Sequence, residues 1–173
     1  MSCFVAWGDK LASEGPAAFY SADYFADYPP GYILVLGLVS LVRKALQLSY
    51  ESRWTYFLLA LIPAICDCAA VVLLDHISRR YMGQGRAQRC LVLFAAFCPL
   101  TLFDTGIWKQ IDGAFALPLL LCFWLLEERR YLLAAVLYGV ALAIKPQALL
   151  AGPVLAVCFL VAIADAVRDA KAR

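Results

Sequence analysis

From Trp54 to Leu74 the chain is apolar apart from Thr55, Pro63 and Asp67. About 20 such residues, rising 1.5 Å each, cover a hydrocarbon core roughly 30 Å thick, so this stretch predicts a spanning helix. Four more apolar runs follow: Cys90 to Ile107 with Pro99 inside it and Asp104 near its end, Ala114 to Leu126, Tyr131 to Ile144, and Leu149 to Ala164. The middle two are separated only by Glu127, Glu128, Arg129 and Arg130, which predicts a tight helical hairpin turning at a headgroup layer. The expected fold is therefore an all-α, polytopic transmembrane helix bundle of about five spanning helices. Residues 54–173 form the bundle, and residues 1–53 form an extracytoplasmic loop carrying an interfacial or re-entrant helix over Gly31 to Leu48. That segment has too short an apolar run before Arg43 to span, since runs of about 10–14 residues more often lie in the interface.

Composition agrees with a lipid environment. The chain is 64% hydrophobic and 16% charged, with a mean hydropathy of +0.77. A soluble domain is closer to about 45–50% apolar. The net charge is only +2, and the basic residues sit in short junctions beside apolar runs, which excludes a nucleic-acid face. The cysteines include no C-x-x-C pair and mostly lie within apolar stretches, where they behave as small hydrophobes. The segment Met1 to Tyr28 has neither a basic start nor a continuous apolar stretch of the kind that opens a secretory leader.

Short loops rich in lysine and arginine stay cytoplasmic. Placing Arg79 to Arg89 inside also brings Arg129, Arg130 and the basic tail inside, and puts Trp108 to Asp112 and Lys145 outside. Polar groups at apolar helix ends are costly unless they face partners or a cavity. Three groupings on this outer side are the candidates: Asp23 to Pro30, with Asp27 and Tyr28; Trp108, Lys109, Gln110 and Asp112; and Lys145, Pro146 and Gln147. Asp9 with Glu14 is a lesser fourth. Simpler readings stand beside them. Pro29 and Pro30 mark a helix start, Tyr24, Tyr28 and Tyr32 suit an aromatic belt, and Trp108 with Lys109 suits an interface anchor. The Lys145-Pro146 step is sharper, because it breaks an apolar helix beside a cation, and broken backbone at membrane depth belongs next to a cavity or buried in protein. Asp67, in mid-span, reads as a hydrogen-bond partner for a neighbouring helix. His76 reads as a surface residue.

The order D-Y-P-P-G-Y from Asp27, Y-E-S from Tyr50, an aspartate-bearing span, W-K-Q-I-D from Trp108 and K-P-Q from Lys145 resembles membrane glycosyltransferases of the GT-C type. It is most similar to bacterial mannosyltransferases related to the GPI-anchor mannosyltransferases, and more distantly to dolichyl-phosphate-glucose glucosyltransferases. The resemblance implies a GT-C-like partial module in a bacterial plasma membrane, transferring a hexose, mannose or glucose, from a polyprenyl-phosphate sugar to a glycan or lipid-linked acceptor on the extracytoplasmic side. It implies Tyr28, Trp108, Lys109, Gln110, Asp112, Lys145 and Gln147 at the substrates and Asp27 as a catalytic carboxylate. The family pattern has glycine where Lys109 stands. It also carries an aspartate shortly before the tryptophan matched by Trp7, so the principal base is expected upstream of Met1 and the chain reads as a fragment, lacking a first helix and a carboxyl-terminal half. No metal site and no cofactor is expected. The competing readings are a transporter or flippase-like module, which also sets charges at broken helices, and a non-catalytic truncated membrane subunit.

Overall fold

The computed structural model describes residues 2–21 and 23–171, which are helical almost throughout and contain no strand. The helices are α1 (Ser2–Glu14), α2 (Pro16–Phe19), α3 (Pro30–Ala45), α4 (Arg53–Met82), α5 (Arg86–Ala96), α6 (Pro99–Phe103), α7 (Asp112–Glu127), α8 (Tyr131–Ile144) and α9 (Gly152–Lys171). A π turn over Asp104–Trp108 continues α6, and a 3-10 segment over Pro146–Ala151 leads into α9. The all-α bundle expected from the sequence is what forms.

Among the described residues, three segments are long and apolar enough to cross a membrane: Arg53–Met82, Arg86–Trp108 and Pro146–Asp165. The second bends at Pro99, whose missing amide and ring disfavour a continuous helix. The other two expected spans are the arms of the hairpin. With 16 and 14 residues, α7 and α8 reach about 24 and 21 Å, short of a full crossing on their own. Their turn is tight, as the four-residue polar break predicts: Arg129 takes a left-handed conformation and the Arg130 amide bonds back to the Leu125 carbonyl. Arg80 at the end of α4 pairs with Glu127 and Glu128, tying the turn to its neighbour.

The amino-terminal region departs from the expected loop, because residues 2–14 and 16–19 are helical. Trp7 and Leu11, four positions apart on one face, and Val5 belong to one buried cluster with Tyr32, Ile33, Leu36 and Val39 of α3. Asp9 locks the pair. Its carboxylate accepts from the Ser40 hydroxyl and from the Arg43 guanidinium at 2.7 and 2.8 Å, while Arg43 also donates to the Leu48 carbonyl at 2.8 Å. Asp9 and Glu14 therefore do not join one outward pocket, since Glu14 pairs with Lys10 on its own helix. Burial alone would raise the Asp9 pKa, but the Ser40 hydroxyl and the Arg43 charge outweigh it and hold the carboxyl below its ordinary range.

Close backbone approach joins this layer to the bundle. A methyl group on Gly31 would sit 2.5 Å from the Ala143 carbonyl oxygen of α8, so only glycine lets α3 meet α8 here. A methyl group on Gly113 would collide with an Asp67 carboxylate oxygen and fall 2.9 Å from the Pro63 carbonyl of α4.

Gly31→Ala should lower stability by about 1–3 kcal/mol, the cost of forcing packed backbones apart, as read from thermal unfolding in detergent. A carboxyl with a lowered folded-state pKa stabilises above its unfolded value near 3.9, and that contribution disappears as pH falls through the folded value. Asp9→Asn should therefore be less stable than wild type by about 2 kcal/mol at pH 7. The gap should close below about pH 4, a convergence that unfolding midpoints of the two proteins measured across pH would show.

Candidate functional site

The α8 helix ends at Ile144 because a residue preceding proline is pushed out of the helical region, and Lys145 accordingly adopts an extended backbone at φ −149°. The swing aims Lys145, Pro146 and Gln147 at the loop that precedes α3. Asp27, Tyr28 and Pro29 of that loop form the facing wall, and Leu149 and Leu150 complete a cavity of about 500 Å³. Segments more than a hundred positions apart in the sequence thus share one open space.

The Asp27 loop is held by its carbonyls. Trp7 Nε1 donates to the Phe25 carbonyl at 3.0 Å, and the Tyr20 hydroxyl donates to the Tyr28 carbonyl at 2.9 Å. The Tyr28 ring sits in an aromatic cluster with Phe4, Trp7 and Tyr32, at centroid distances of 5.5 to 5.8 Å. Its hydroxyl donates to Gln110 Oε1 across a long 3.4 Å. Burial raises the Tyr28 pKa, and the charges of Asp27, Asp112 and Asp104 add to the effect, so the hydroxyl stays a donor at neutral pH.

The Lys145 ammonium, largely shielded from solvent, pairs with the Asp112 carboxylate at the start of α7. Asp112 also lines a second cavity of about 410 Å³ together with Asp67, Asp104, Thr101, Thr105 and Gly113. The ion pair is therefore the wall between a space lined by a cation and an acidic one. Thr105 donates to Asp67, the cross-helix hydrogen bond that a mid-span aspartate predicts. Among the described residues, no three His, Cys, Asp or Glu side chains gather closely enough to hold a metal ion.

Of the residues singled out from the sequence, Asp27, Tyr28, Lys145 and Gln147 line the first cavity. Asp112 joins them through its ion pair and Gln110 through Tyr28. Trp108 and Lys109 line neither space. Trp108 is exposed and packs edge-on against Phe103, while the Lys109 ammonium lies 5.9 Å from the centre of the Tyr56 ring. Asp104, Thr101 and Thr105 line the second cavity and were not among the candidates, although the placing of Asp104 near the end of an apolar run was the signal. His76 lies against Trp124, away from both spaces.

Lys109 also explains its own unusual place in the motif. It sits at φ 58°, ψ 40°, the left-handed region, where its amide and that of Gln110 both bond to the Asp104 carbonyl and close the π turn. Glycine adopts this conformation freely, whereas other residues carry about 1–2 kcal/mol of strain. Lys109→Gly should leave the unfolding midpoint unchanged or raised, and Lys109→Val should lower stability by about 1–2 kcal/mol, because branching at Cβ worsens the clash; thermal unfolding in detergent checks both.

No curated protein and no solved structure matches the chain. The family model for Glycosyltransferase family 87, a family of GT-C-type membrane enzymes, matches residues 25–167. That stretch takes in both cavity walls, every apolar segment and all three candidate spans, and on it the chain belongs to glycosyltransferase family 87, as an integral membrane glycosyltransferase.

Proposed function

We propose that the chain transfers a hexose, mannose or glucose, from a polyprenyl-phosphate sugar to a glycan or lipid-linked acceptor on the extracytoplasmic side of a bacterial membrane. The observation that carries this reading is the meeting of Asp27, Tyr28, Lys145 and Gln147 around one cavity at the broken end of an apolar helix. A lipid phosphate carries its charge where apolar segments give way to polar surroundings, and a shielded ammonium at a helix end is the group that would attract it.

In the step proposed, an acceptor hydroxyl attacks the anomeric carbon. The new bond forms between acceptor oxygen and that carbon, the bond from the carbon to the phosphate oxygen breaks, and polyprenyl phosphate leaves with the electron pair. The hydroxyl proton passes to a carboxylate, for which Asp27 is the candidate within this chain; a positioned base of this kind contributes about 10²–10⁴-fold. Negative charge builds on the departing phosphate, where Lys145 is the candidate to stabilise it, with Gln147 as a hydrogen-bond donor. The Asp112 carboxylate holds the ammonium in place beforehand and gives way to the phosphate as the stronger partner. Asp112, Asp104 and Asp67 can then accept hydrogen bonds from sugar hydroxyls across the ion-pair wall.

The test is transfer from radiolabelled polyprenyl-phosphate mannose and glucose in membranes containing the chain. Lys145→Ala and Asp27→Ala should each reduce transfer by about 10²-fold or more at unchanged protein level, while Trp108→Ala, at an exposed ring outside both cavities, should stay within about threefold of wild type. Transfer that is absent with both donors from a folded, inserted wild-type protein would instead favour a transport or non-catalytic role.

A further inference from the structure

At the far end of α4, beyond Asp67 by about 18 Å along the helix, a separate cavity of about 330 Å³ lies between α4 and α5. Its walls are Asp75, Arg79, Gln84, Gln88 and Arg89, and its floor is Val92 and Leu93. In the sequence this basic junction is an orientation signal, and the proposed transfer step uses none of its residues.

The polar wall is built in advance. Asp75 accepts from Arg79 Nε at 3.1 Å and from Gln88 Nε2 at 2.8 Å, and the buried Gln88 amide also donates to the Ser78 hydroxyl at 3.1 Å. The one carboxylate in the cavity is thus engaged in fixing Arg79 and Gln88. Arg89, across from them, has no side-chain partner among the described residues. Arg79 keeps its Nε and Nη2 on the two Asp75 oxygens, so Arg89 presents the open planar fork that recognises phosphate oxygens and Arg79 adds its charge and its remaining Nη1 beside it.

The floor decides what carries the phosphate. Arg89 lies one turn inside the candidate span Arg86–Trp108, and Val92 with the exposed Leu93 continues down that span. A soluble anion would leave this apolar strip unused. A lipid places its phosphate at the arginines and its chain along the strip.

We propose that this cavity binds the phosphodiester of an anionic phospholipid, with one acyl chain laid against Val92 and Leu93. The positive-inside reading puts it at the cytoplasmic leaflet, where anionic lipids attract such basic sites. The site is independent of the transfer chemistry.

The experiment is native mass spectrometry of the protein in mixed micelles titrated with phosphatidylglycerol or phosphatidylcholine. Arg89→Gln and Arg79→Gln are compared with Arg86→Gln, which alters a neighbouring arginine outside the cavity, and with Arg53→Gln at the other end of α4. Circular dichroism verifies that each variant is folded, and Arg89→Gln, which breaks no contact, is the one least able to disturb the fold. The proposal expects phosphatidylglycerol to bind more tightly than phosphatidylcholine, and its apparent affinity to fall about tenfold in Arg89→Gln and Arg79→Gln but less than about twofold in the two controls. Equal losses in Arg86→Gln and Arg89→Gln would overturn it in favour of diffuse surface charge. Displacement of the lipid by inorganic phosphate at matching concentration would overturn the lipid assignment in favour of a soluble anion.

Discussion

The arrangement of the bundle turns on a charged residue that has to be accommodated where an apolar helix stops. Lys145 cannot stay helical ahead of Pro146, and its ammonium is too shielded to rely on water alone. The ammonium is shielded while Asp112 at the start of α7 is half-exposed, so their pairing lets the cation be held at the helix end without the full desolvation of a buried ion pair. The pair ties the end of α8 to the start of α7, and Arg80 on α4 holds the turn at the other end of the hairpin. The α3 helix can approach closely only through Gly31, and that approach brings the Asp27 loop to the cation.

Much of this was legible in the sequence because hydrophobic length and helix-breaking residues are local signals. The Trp54 run, the Glu-Glu-Arg-Arg turn and the break at Lys145 each reflect a few neighbouring residues, and the structure places them accordingly. Helix α1 was harder to see. Its apolar positions are interrupted by Asp9 and Lys10, and Asp9 becomes reasonable inside a helix only once Ser40 and Arg43 are brought to it by α3. A contact over such a separation leaves no local trace.

The candidate site was legible in part for the same reason. Asp27, Lys145 and Gln147 stand out because charged and amide groups beside apolar runs are conspicuous. The pairing of Lys145 with Asp112 follows from how α7 and α8 pack, and no spacing rule predicts it. Within W-K-Q-I-D, the motif alone made Trp108 and Lys109 equal in weight to Gln110 and Asp112, but the π turn at Asp104–Trp108 rotates the first two away from the cavities.

The shortness of the α7–α8 hairpin has a consequence for the lipid around it. Arms of about 24 and 21 Å set beside full-length spans leave a mismatch with a hydrocarbon layer about 30 Å thick. A bilayer relieves such mismatch at modest cost by thinning locally. Thinning here would bow the headgroup plane inward over the end of α8, so that the lipid phosphate proposed as donor would reach Lys145 by moving sideways within its own leaflet, without its charge having to cross bulk hydrocarbon.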